Sequence, residues 1–71
     1  GEYLTAENFR FDEETGVLLL ILPAPPISSD GGTFAGWQVT NENTGETFLL
    51  PAGAEFPLES ETQYSLAPVW G

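Results

Sequence analysis

The chain has no cysteine, no histidine and no lysine, and its only basic side chain is Arg10. Without thiols there are no disulfides, and without thiols or imidazoles the usual structural zinc sites are closed as well. The same absences remove most nucleophiles and general bases, leaving carboxylate pairs such as glycosidases use. With 71 residues there is too little chain to build a deep cleft around such a pair. The sequence therefore reads as non-enzymatic, with no cofactor. Positive charge is equally scarce: one arginine faces eleven carboxylates, for a net charge of −10. Nucleic-acid binding needs cations that displace counterions from phosphates, so it is excluded, as is an anionic membrane surface. The longest apolar run, Val17 to Leu22, is too short to cross a bilayer, so no membrane insertion is expected. The opening Gly1-Glu2-Tyr3 has neither the basic region nor the apolar core of a secretory leader. The chain is accordingly expected to be a piece of a larger multidomain protein.

What is present is β-forming. At 41% hydrophobic there are enough apolar residues for one small core, and residues 1–71 read as a single domain. Thr5 is placed to cap one helical turn at Ala6-Glu7-Asn8. Phe9-Arg10-Phe11-Asp12 alternates like a half-buried strand, Gly16 closes a turn, and Val17 to Leu22 reads as a central strand buried on both faces. These pieces make an N-terminal hairpin over residues 1–22. Pro23 to Gly32, with three prolines and a Ser-Asp-Gly-Gly end, reads as a crossing inside the domain.

Thr33 to Thr40 alternates again, with Ala35, Trp37 and Val39 expected on one side and Phe34, Gly36, Gln38 and Thr40 on the other. A glycine inside a strand marks a bulge or a close approach, and a large ring over Gly36 is one reason for it. Thr47 to Leu50 returns after a loop containing Gly45, Pro51 to Ala54 turns, Glu55 to Leu58 is ambiguous, and Gln63 to Val69 is the last strand. Pro68 cannot donate to a ladder, so that strand is expected at an edge or locally irregular. Helical periodicity is sustained nowhere. The expectation is a mainly β, antiparallel fold with at most one short helix.

Two sets of residues are candidate sites. Trp37, Tyr64 and Trp70 could form an aromatic platform for a sugar, against the alternative that the indoles are core. Asp12, Glu13 and Glu14 in the first turn could hold Ca²⁺, against a solvated turn whose carboxylates diverge. Asp30 with its two glycines is a lesser candidate of the same kind, and Arg10 is expected to pair with acids on an exposed face.

From Leu22 to Trp70 the order of features resembles the Listeria–Bacteroides repeat, the internalin B-repeat type of module. Leu22-Pro23 opens it, Gly31-Gly32-Thr33-Phe34-Ala35-Gly36-Trp37 follows, Pro51-Ala52-Gly53 supplies a turn, and Ser65-Leu66-Ala67-Pro68-Val69-Trp70 closes it. Gly32 stands where a tyrosine is usual, and residues 1–21 lie outside the match. The resemblance makes residues 23–71 a repeat-like core and implies a β-grasp-like module of a secreted or cell-surface bacterial protein. The implied role is that of a spacer or adhesion unit. Its partners would be neighbouring domains of the same chain and host or cell-wall protein or glycan. The alternative from the residues is a carbohydrate-binding module using exposed aromatics.

Overall fold

The computed structural model describes residues 3–28 and 30–71. The opening Gly1-Glu2 and Ser29 of the expected turn lie outside them. Two three-stranded antiparallel sheets carry the fold. The first contains β1 (Phe9–Asp12), β2 (Val17–Ile21) and β5 (Glu55–Leu58), in the order β1-β2-β5. The second contains β3 (Phe34–Asn41), β4 (Thr47–Leu50) and β6 (Tyr64–Trp70), in the order β4-β3-β6. The chain changes sheet between β2 and β3, between β4 and β5, and again between β5 and β6. The mainly β, antiparallel class follows, with a single 3₁₀ turn at Ala6–Asn8 as the only helix among the described residues. The layering is sheet on sheet.

Local chemistry accounts for the joints. Thr5 caps the 3₁₀ turn, its hydroxyl accepting from Glu7 N–H, while Asn8 Oδ1 accepts from Thr5 N–H at 2.9 Å. Asn8 Nδ2 then donates to the Ile21 carbonyl at 2.9 Å, tying the turn to the end of β2. Between β1 and β2, Gly16 N–H reaches the Asp12 carbonyl at 2.8 Å, with Gly16 at φ +72°. Asn41 is buried, and its Oδ1 accepts from Asn43 and Thr44 N–H, so its polar group is satisfied inside the β3–β4 turn.

Leu20 and Leu22 from the first sheet meet Trp37 and Val39 from the second in the sealed centre of the core. The hairpin over residues 1–22 is therefore not a separate unit: β2 pairs with β5, and its leucines share one core with β3. β2 is central in its sheet, as expected, but only one of its faces is buried. Val17, Leu19 and Ile21 are half-buried on an outer face that no third layer of described residues covers. Leu19 lies between Arg10 and Pro57 across the strands, and Ile21 faces Glu55. The Arg10–Glu55 ion pair, 2.6 Å, bridges β1 and β5 over this face, so the stems of long polar side chains shield the leucine and isoleucine.

The register of β3 differs from simple alternation. Its pairing with β6 shifts between Phe34 and Gly36, leaving Ala35 as an extra residue. This bulge brings Phe34 to the same side as Trp37, its ring centroid 5.4 Å from the indole, and leaves Ala35 exposed. Gly36 has φ +151°, and a Cβ there would lie 3.0 Å from Leu49 Cδ1 and 3.1 Å from the Leu50 carbonyl. The close neighbour that glycine admits is therefore strand β4, not an aromatic ring.

β6 is an edge strand of its sheet, and the direction of its backbone groups explains Pro68. Gly71 N–H bonds the Thr33 carbonyl and Glu42 N–H bonds the Gln63 carbonyl, both toward β3. Backbone groups alternate along an antiparallel strand. Ser65, Ala67 and Val69 therefore face β3, and Tyr64, Leu66, Pro68 and Trp70 face the free side. The missing donor of Pro68 falls where no described strand needs it.

Candidate functional site

Seven of the nine aromatic residues form two separate clusters. At one end, Trp37 is sealed at 1% exposure and its Nε1 donates to the Pro23 carbonyl at 2.8 Å. Tyr3 stands edge-on to it at 5.1 Å, and Phe34 lies between Trp37 and Trp70, at 5.7 Å from the latter. Such edge-to-face contacts stabilise by about 0.5–1.5 kcal/mol each beyond area burial. At the other end, Tyr64 stacks edge-on to Phe56, which in turn tilts against Phe48. The Tyr64 hydroxyl accepts from Glu59 N–H at 3.1 Å, five residues upstream, the arrangement called a tyrosine corner in β-sandwich domains.

These positions decide what the three expected platform residues can do. Tyr64 and Trp70 sit at opposite ends of β6, roughly 20 Å apart at ordinary strand rise. Trp37 has no face to offer a ligand. Trp70, at 39% exposure, is the one indole with an open ring. It lines a cleft of about 300 Å³ together with Tyr3, Pro26, Ile27, Pro68 and Asp30. The carboxylate of Asp30 is anchored there: Ser28 Oγ donates to it at 2.6 Å and Gly32 N–H at 3.2 Å. These bonds, the Ser28 hydroxyl first, hold its pKa below the ordinary aspartate value. Tyr3 and Asp30 as partners of Trp70 were not visible in the sequence as a set. Tyr3 lies far from Trp70 along the chain, and nothing in its neighbours announces the contact.

The first turn does not gather its carboxylates. Asp12 Oδ1 accepts from Glu14 N–H at 3.0 Å, an Asx turn, and Glu13 and Glu14 are exposed. Among the described residues no three acidic side chains converge on a point that could hold a metal ion. Arg10 pairs with Glu55 on an exposed face, and that contact raises its pKa.

A second surface runs along the free side of β6. Between the inward faces of the two sheets lies an apolar groove of about 210 Å³, lined by Leu4, Phe9, Leu20, Val39, Leu58 and Leu66 among others. On the inward face of the first sheet, Phe11 pairs with Leu18, yet the two remain 58% and 40% exposed. The second sheet does not extend over them. They open onto a cleft with Pro57, Leu58, Glu59 and Ser60, apart from β6. Open apolar side chains and an unpaired sheet edge each mark an interaction surface.

No protein family, characterised protein or solved structure matches this chain. Among the described residues no helix is long and apolar enough to cross a membrane.

Proposed function

We propose that this chain is a non-enzymatic interaction module, an adhesion or spacer unit of the Listeria–Bacteroides repeat kind, in a secreted or cell-surface bacterial protein. The supporting residue order runs from Leu22-Pro23 through Phe34-Ala35-Gly36-Trp37 to Leu66-Ala67-Pro68-Val69-Trp70. The observation that carries the contact role is the set of large apolar side chains, Phe9, Phe11, Leu18 and Trp70, that stay open on an otherwise acidic molecule.

Beads coated with the module test this reading on surfaces carrying extracellular-matrix protein or peptidoglycan. Retention that protease treatment of the surface abolishes is expected, and an absence of retention on both surfaces contradicts it. Antibody to the module is expected to label intact source cells. Labelling only after permeabilisation contradicts the surface location.

A second reading, a carbohydrate-binding module, is favoured by one feature: the Trp70 ring beside Tyr3 and the anchored carboxylate of Asp30. A flat indole suits the apolar face of a pyranose, and a fixed carboxylate accepts hydroxyl hydrogen bonds. Titration with wall sugars would then quench Trp70 fluorescence, and Trp70→Phe would abolish the response. An unchanged spectrum at millimolar sugar removes this reading.

A further inference from the structure

We infer that the free side of β6 takes an extended strand from a partner protein, apolar at alternate positions and cationic at both ends, as an added strand of the β4-β3-β6 sheet. The inference rests on the interaction-module reading and names its partner chemistry. Tyr64, Leu66 and Trp70 present N–H groups along that side, and Tyr64, Leu66, Pro68 and Trp70 present carbonyls, with no described strand pairing there. An edge in this state is a template for another chain unless charge, a bulge or a covering element blunts it. β6 carries no charged residue, and its one blunting device is Pro68.

The groove beside this edge settles the pattern of the incoming strand. Successive residues of a strand point to opposite faces. Every second side chain would therefore enter the groove over Phe9, Leu20 and Leu66. Main-chain hydrogen bonds supply affinity in such strand addition, and the alternate side chains supply selectivity.

Charge settles the ends. Glu42 lies at the Tyr64 end, its carboxylate accepting from Ser65 Oγ at 2.8 Å, and Asp30 shares the cleft of Trp70 at the other. An apolar strand with a lysine or arginine at each end meets a carboxylate at both. A second copy of this chain is disfavoured by the same geometry. Two β6 strands paired antiparallel would set Glu42 of each copy toward Asp30 of the other, on molecules of charge −10 apiece.

The probe is an acetylated, amidated nonapeptide alternating valine and threonine between two terminal lysines, followed by amide hydrogen exchange of the module. With a Kd of about 1 mM, typical of a minimal strand, exchange of the Tyr64, Leu66 and Trp70 N–H groups is expected to slow about twofold at 1 mM peptide and about tenfold near 10 mM. The same peptide N-methylated at alternate amides is expected to leave them unchanged, and the version ended by glutamates to bind more weakly. Ala67 is exposed and points away from the core. Ala67→Glu is expected to tighten binding of the lysine-ended peptide and Ala67→Lys to weaken it, at unaltered melting temperature. The inference is overturned if those amides do not slow, or if the N-methylated peptide acts equally well. It is also overturned if they slow with protein concentration alone, which would make the occupant a second copy. Beads retained on protein surfaces while β6 stays unprotected would remove this inference and leave the module reading standing. Failure of both experiments removes both.

Discussion

The indole N–H of Trp37 donates to the carbonyl of Pro23 at 2.8 Å, joining the first residue of the sheet-to-sheet crossing to the centre of the core. The bond lets a large amphipathic ring be buried without an unsatisfied donor, and it leaves no side-chain polar atom in the core orphaned among the described residues. Replacing Trp37 by Phe removes the donor, strands the Pro23 carbonyl and leaves a void beside Tyr3 and Phe34. A loss of about 2–4 kcal/mol in unfolding free energy is expected, measured by urea denaturation.

Gly36 is required twice over, by its backbone angle and by the contact with β4. Gly36→Ala is expected to destabilise by about 2–3 kcal/mol, combining the strained φ with overpacking against Leu49 and the Leu50 carbonyl. Adding Leu49→Ala clears the nearest atom but neither the carbonyl nor the backbone angle. The double variant should therefore recover only part of the loss relative to Leu49→Ala alone.

Glu61, in the corner before β6, is the single non-glycine residue with positive φ among those described, at 59°. A Cβ in that conformation costs about 1–2 kcal/mol, and a glycine's extra chain entropy returns part of the gain. Glu61→Gly is expected to stabilise by about 0.5–1 kcal/mol, seen as a higher urea midpoint with an unchanged slope.

The Asp30 carboxyl provides a pH test. Its folded-state pKa lies below the ordinary value of 3.8, chiefly through the Ser28 hydroxyl and then Gly32 N–H. A depressed acid contributes stability that is fully present above the unfolded pKa and is lost as pH falls through the folded one. A carbon-detected NMR titration should place the Asp30 midpoint below that of a free aspartate. Ser28→Ala should move the midpoint upward, and the small stability it removes should be missing above the unfolded pKa and unchanged below the folded one.

Much of this fold could be read from residue order, because the signals were local. Gly16 and Gly45 closed hairpins where the glycines allow positive φ, Thr5 capped its turn, and Pro68 marked an edge. The parts that escaped depend on what lies across space. Simple alternation put Phe34 opposite Trp37, and the bulge at Ala35 reversed that, because Gly36 had to fit against Leu49. A continuous apolar run at Val17 to Leu22 suggested two buried faces, yet the outer one is flanked across the strands by Asp12, Arg10, Glu55 and Pro57. For the site, its place at the chain end marks Trp70 as the more exposed of the two indoles, and packing bears this out, sealing Trp37. Only packing brings Tyr3 and Asp30 to Trp70.

Amide hydrogen exchange along β6 in the free, dilute module tests the central claim, an open sheet edge on a closed core, most directly. The account predicts alternation: Ser65, Ala67 and Val69 exchange slowly, as do the amides of β3 around Trp37, while Tyr64, Leu66 and Trp70 exchange near the unprotected rate. Uniform protection of all six β6 amides would mean the edge is already covered. Rapid exchange throughout β3 and β6 would mean the core does not hold, and either result contradicts the account.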